Sequence, residues 1–167
     1  MIILCTAKMA QGTFQAKFIP LSKLDEVKRI YVVRKEKGPK IEKLEYIVLP
    51  SICKYSLFNL IIAPIYMIFF AYKYKVNLVL SYHLVPHAFF AYITTLLIGK
   101  PFIFAQTGGN SQILSQSFLY KYFISKVIRN AKFLLTPGKQ SKYFWKDKFQ
   151  KINNPVVFGL DHPKMGV

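Results

Sequence analysis

The segment VNLVLSYHLVPHAFFAYITTLLIGKPFIFA, residues 76–105, decides the fold. Leu78-Val79-Leu80 is a short run without alternation, as in a strand covered on both faces, and Pro86 to Ile98 follows as a helix-length apolar segment closed by Gly99. Phe102 to Ala105 then repeats the strand signal. Strands of this type separated by helices of ordinary length belong to a parallel sheet sandwiched between helices.

The same alternation extends in both directions. Upstream, Met1 to Cys5 reads as a strand, Thr6 to Gly12 as a loop, and Phe14, Phe18 and Leu21 recur at helical spacing. The β-branched and aromatic residues Ile30 to Val33, within Lys28 to Arg34, and the run Leu44 to Leu49 before Pro50 predict two more strands. Tyr55 to Tyr74 predicts a long apolar helix. Downstream, Gln106 to Gln112 is a loop, Leu114 to Asn130 a helix, Phe133 to Thr136 a strand, Gly138 to Phe149 a helix and Val156 to Phe158 a last strand. The expected architecture is α/β, a doubly wound, mostly parallel Rossmann-like sheet with helices on both faces, and the length of 167 residues suits one domain spanning 1–167. In such folds ligands lie outside the carboxyl ends of the strands, which draws attention to Thr6 to Gly12, Ser81 to His87, Gln106 to Gln112 and Thr136 to Ser141.

Charge narrows the chemistry. The formal net charge is +17, from 24 Lys and Arg against 7 Asp and Glu, and no carboxylate side chain occurs between Tyr46 and Lys146. A positive field attracts phosphates, nucleic acid or anionic lipid. The gap leaves histidine to supply acid–base chemistry over that stretch, and with no Asp-x-Asp pair anywhere it argues against a Mg²⁺ or Mn²⁺ site. Cys5 and Cys53 lie far apart with no neighbouring Cys or His cluster, so neither zinc nor a disulfide framework is expected, and a reducing cytosol fits. No metal and no cofactor are expected. A Ser/His/Asp triad has no support, because the carboxylates lie before Tyr46 or after Lys146. The amino terminus has neither the basic start nor the apolar length of a secretory signal. The apolar run Leu57 to Tyr72, interrupted by Asn59 and Pro64, falls short of the about 20 residues that a spanning helix needs.

Four features are candidates for function. His83 and His87 flank Pro86 in a strand-to-helix loop, where they are expected to orient a sugar-like hydroxyl or move a proton; local packing is the plainer alternative. Gln11, Gly12 and Thr13 open the first helix, whose free N–H groups favour an anion, although one glycine also serves an ordinary turn. Thr107, Gly108, Gly109 and Asn110 offer small side chains and backbone N–H groups to an approaching acceptor or phosphate. Lys121, Lys126 and Arg129 beside Phe118, Tyr122 and Phe123, and Lys139, Lys142 and Lys146 beside Phe144, Trp145 and Phe149, form basic and aromatic stripes suited to an anionic membrane surface, or else to a solvated face.

Taken together, Gln11-Gly12-Thr13, the strand and turn Asn77 to His83, Gly99-Lys100-Pro101 leading into Phe102-Ile103-Phe104, Thr107-Gly108-Gly109, Phe133 to Thr136 and the tail Asn154 to Asp161 resemble the N-terminal domain of the family 4 glycosyltransferases of GT-B fold. The resemblance implies metal-independent transfer of a sugar, usually with retention, from a nucleotide-sugar co-substrate to a hydroxyl acceptor in a cleft between two domains. This half would supply the acceptor side. It further implies that residues 159–167 begin a linker to a second domain, which would hold the donor through an Arg/Lys pair and a Glu-x7-Glu element; no Glu occurs here after Glu45. The family also often carries a histidine after the fifth strand, where Gln106, Thr107 and Gly108 stand instead, so His83 and His87 take that role by position only.

The expected partners are therefore a C-terminal GT-B half or partner chain and a glycan or lipid-linked acceptor, with an anionic membrane surface as a further partner and nucleic acid disfavoured. The expected place is the cytoplasm, peripheral on the inner face of the membrane. Two rival readings remain: a non-catalytic basic α/β module that binds anionic membranes, and a small integral membrane protein using Leu57 to Tyr72.

Overall fold

The structure, a computed structural model, describes residues 1–107, 118–148 and 155–157. Seven strands, β1 (Ile2–Thr6), β2 (Arg29–Arg34), β3 (Leu44–Val48), β4 (Leu78–Ser81), β5 (Phe102–Ala105), β6 (Phe133–Thr136) and β7 (Pro155–Val157), form one sheet. Its order is β3-β2-β1-β4-β5-β6-β7, and every pairing is parallel. Among the described residues five α-helices accompany it: α1 (Gln11–Ser22), α2 (Ser56–Lys73), α3 (Phe89–Ile98), α4 (Phe118–Asn130) and α5 (Lys139–Lys148).

Apolar residues on opposite faces of each strand build two cores. On one face Ile3, Cys5, Ile30 and Val32 pack with Phe14 and Phe18 of α1, whose rings stack 4.1 Å apart. On the other, Leu4, Val33, Val79, Phe102, Phe104 and Leu134 meet Met67 of α2, Phe90 of α3, Ile128 of α4 and Trp145 of α5. In the central strands β1, β4 and β5, continuous apolar runs are the sequence expression of this double coverage.

Two elements differ from expectation. The helix expected from Pro86 begins regularly only at Phe89; Leu84–Ala88 forms a π-type turn in which Val85 is extended and the Val85–Pro86 peptide is cis. A residue before proline is driven from helical towards extended backbone by the proline ring, so the helix cannot start through Val85. The helix expected from Leu114 is described from Phe118 onward, and residues 108–117 and Phe158 lie outside the described residues. Gly99 closes α3 with φ of 64°, a left-handed conformation that glycine adopts without steric cost.

Helix α2 is apolar all round. Ala63, Met67 and Ala71 face the core, while Leu57, Ile61, Ile65, Phe69 and Tyr72 on the opposite side are each more than half exposed. Among the described residues no helix is long and apolar enough to cross a membrane.

Candidate functional site

The strand order reverses between β1 and β4: β2 and β3 extend the sheet to one side, β5 to β7 to the other. Loops leaving the carboxyl ends of β1 and β4 therefore diverge and leave a crevice, the usual ligand position in open α/β sheets. A cleft of about 400 Å³ occupies that place, lined among others by Thr6, Lys8, Arg34, Lys35, Asn59 and His87.

His87 belongs to the turn after β4, and its Nδ1 lies 2.6 Å from Oγ1 of Thr6, the last residue of β1. The contact spans the crevice. Burial first, then His83, Lys8 and Lys35, lower its pKa to about 4, so the ring is neutral at pH 7. Thr6 Oγ1 is donor or acceptor according to which ring nitrogen carries the proton. His83 lies alongside, with ring centroids 5.7 Å apart, and burial followed by Lys8 lowers its pKa too. Its Nδ1 is buried and has no hydrogen-bond partner among the described residues. Of the two expected histidines, His87 reaches the cleft wall and His83 stands beside it.

A neutral, buried imidazole suits hydrogen bonding to a substrate hydroxyl better than proton storage, because a base of pKa near 4 is weak at neutral pH. Positive charge at the mouth comes from Lys8, Arg34 and Lys35, at the ends of β1 and β2, and exceeds the single negative charge of Glu36 beside them. The Arg34 guanidinium lies 4.9 Å from the Phe14 ring centroid and 6.0 Å from that of Tyr46, which holds it in place.

Gln11, Gly12 and Thr13 are exposed at the first turn of α1. Gln11 lines a separate depression of about 380 Å³ with Arg34, Lys37, Gly38 and Pro39, and so meets the histidine cleft only through Arg34. Space around Gly12 is open, with nothing within 4 Å of an added Cβ. Gly38 is different: a Cβ there would meet Arg34 Nη1 at 2.6 Å and the Tyr46 hydroxyl at 2.7 Å. Thr107 donates its hydroxyl to the Tyr82 carbonyl at 2.5 Å, tying the end of β5 to that of β4. Gly108, Gly109 and Asn110 lie outside the described residues.

Neighbouring Gln106 accepts a bond of 2.6 Å from Trp145 Nε1, and both are buried. Trp145 is thus a core residue and no interfacial anchor, contrary to the aromatic stripe expected on α5, because burial lets its indole N–H find a partner at the sheet. On α4, Tyr122 and Phe123 are exposed, as are Lys121, Lys126 and Arg129, with Lys126 Nζ 4.8 Å from the Tyr122 ring centroid. Lys139 and Lys146 are exposed on α5 and Lys142 is half-buried. Among the described residues no three His, Cys, Asp or Glu side chains come together.

Sequence reasoning missed Lys8, Arg34, Lys35, Glu36 and Asn59. Asn59 carried a signal, as the one polar interruption of the Leu57 to Tyr72 run; the cations carried none, among so many.

No family model and no curated protein matches the chain. Solved structures do. MurG from Acinetobacter baumannii is similar over 99% of this chain and 46% of its own, with TM-score 0.59 and 13% identity. Sucrose-phosphate synthase from Thermosynechococcus elongatus covers 97% of this chain and 90% of its own, with TM-score 0.65 and 10% identity. The apo form of the lipopolysaccharide outer core galactosyltransferase WaaB covers 93% and 46%, with TM-score 0.58 and 15% identity. These neighbours are GT-B glycosyltransferases, and what this chain shares with them is the fold. It spans about half the length of two of them.

Proposed function

We propose that this chain is the acceptor-side half of a metal-independent, retaining glycosyltransferase, which moves a sugar from a nucleotide-sugar to a hydroxyl acceptor once a C-terminal half supplies the donor site. The observation that carries this reading is the crevice at the β1/β4 reversal, with neutral His87 and three cations against one carboxylate, Glu36, on a fold shared with three glycosyltransferases. His87 would accept from or donate to the acceptor hydroxyl and fix its direction, with the His83 ring packed beside it. Lys8 and Arg34 would hold an anionic group of the acceptor or of the departing nucleotide by charge. Orientation of this kind lowers a barrier through proximity, without a proton changing hands at His87.

The test is reconstitution. Mixing the chain with a separately produced C-terminal half carrying Glu-x7-Glu should yield transfer of a radiolabelled sugar, and His87→Ala should reduce it at least tenfold with the melting curve retained. Transfer by the C-terminal half alone at the same rate would refute the proposal.

A second reading, docking on an anionic membrane surface, is favoured by one observation: the exposed apolar stripe of α2, with Tyr122 and Phe123 of α4 also exposed and Lys73 and Lys126 among the exposed cations. Flotation with anionic but not neutral vesicles would support it, since each Lys or Arg near such a surface contributes about 1 kcal/mol.

A further inference from the structure

Behind the turn after β4 lies a second depression, of about 210 Å³, bordered by Leu60 of α2, Val85, Pro86, Phe89 of α3, and Phe123 and Val127 of α4. Every residue lining it is apolar. The Phe89 and Phe123 rings meet edge to face at 6.2 Å. Yet Leu60, Val85 and Phe123 are each between 44% and 54% exposed, so the groove is open to water and has no polar group to hold it. Covering these apolar walls with an apolar ligand removes them from water and is favourable.

The groove adjoins the histidine cleft. Pro86 lines both, and the chain alternates between them residue by residue: Leu60 faces the groove and Asn59 the cleft, Phe89 the groove and Phe90 the cleft, and His87 follows Pro86 into the cleft. A ligand filling both meets only apolar side chains in the groove, and in the cleft a mixed wall where Lys8, Arg34, Glu36 and His87 stand among Val33, Leu49 and Phe90. The groove's volume of about 210 Å³ suits the first part of a single hydrocarbon chain.

We infer that the acceptor is an amphiphile, with a hydroxyl- or phosphate-bearing head in the cleft beside His87, Lys8 and Arg34 and the first part of a single hydrocarbon chain in the groove between Leu60, Phe89 and Phe123. This rests on the acceptor-side reading of the cleft. It narrows the acceptor from any hydroxyl compound to a lipid-linked one, and it gives Pro86 the role of the divider between head and tail. No bond is made or broken in the groove.

Inorganic phosphate, octyl phosphate, decyl phosphate and dodecyl phosphate, each below its micelle concentration, are suitable probes, titrated by calorimetry into the full chain. Affinity should rise by about fourfold per methylene until the groove is full, following about 0.8 kcal/mol per buried CH₂. Leu60→Gln with Phe123→Gln, at two exposed positions where polar substitution leaves the core intact, should abolish that dependence. Ile65→Gln with Phe69→Gln, on the outer stripe of α2 away from the groove, should leave it in place. No chain-length dependence, or a dependence that survives Leu60→Gln with Phe123→Gln or disappears with Ile65→Gln and Phe69→Gln, would overturn the inference. The head is read separately: a groove-dependent slope without any effect of Lys8→Gln on phosphate affinity would sustain the groove and sink the assignment of the cleft.

Discussion

Protonation of His87 has to be forced, and the force can be measured as stability. In the unfolded chain this imidazole titrates near 6.5, whereas burial and the neighbouring His83, Lys8 and Lys35 hold it to about 4 in the fold. Below pH 6.5 the unfolded state takes up a proton that the native state refuses, so stability is fully present above 6.5 and drains away as pH falls towards 4. At 1.36 kcal/mol per pH unit the total is about 3 kcal/mol, of which about 2 kcal/mol is gone at pH 5. Urea unfolding of the wild type and of His87→Gln at pH 7.5, 6.5, 5.5 and 4.5 isolates the contribution. Removing the imidazole removes its titration, so the difference between the two proteins should change by about 2–3 kcal/mol across the series, the variant gaining relative to the wild type as pH drops. An NMR titration of the His87 Cε1 proton should show a midpoint near 4. A difference that stays constant from pH 7.5 to 4.5, or a midpoint above 6, would refute the buried, neutral role on which the site depends.

Other consequences are simpler to check. Trp145→Phe removes one donor to buried Gln106 and underfills the core, and should lower stability by about 1–3 kcal/mol in chemical denaturation. Met67→Ala, at a wholly buried position of α2, should cost about 2–5 kcal/mol by the same assay, while Ile65→Ala on the exposed side should cost far less. Gly99→Ala has room for its methyl but must adopt a φ of 64°, so it should cost about 1–2 kcal/mol, and Gly99→Asn less. Gly38→Ala forces Arg34 or Tyr46 to move, which should weaken phosphate binding to the cleft with little loss of thermal stability.

The sheet was legible because its central strands are covered on both faces, and that condition writes itself as an uninterrupted apolar run. Phe102–Ala105 and Phe133–Thr136 agree with expectation to the residue, and the ends of β1 to β4 shift by one. Periodicity located α2 within one residue at each end. It could not tell which side of α2 meets water, since both sides are apolar and only the position of the sheet decides. The site was legible in outline. A reversal of strand order follows from topology, so the loop holding His83 and His87 was marked, but the pairing of Thr6 with His87 arises from the β1–β4 register and leaves no local trace. Arg34 and Lys8 were hidden by abundance. Trp145 was read with the wrong face because an aromatic beside lysines looks the same in sequence whether the helix turns it outward or, as here, onto Gln106.

The ties at the carboxyl edge of the sheet, from Thr6 to His87, Thr107 to Tyr82 and Trp145 to Gln106, are all made by uncharged groups. Ionic strength therefore acts on the lysines and arginine at the rim while sparing the joints beneath them. The concavity is built like a fixed mould with a tunable electric field: added electrolyte weakens its pull on an anion without altering its shape.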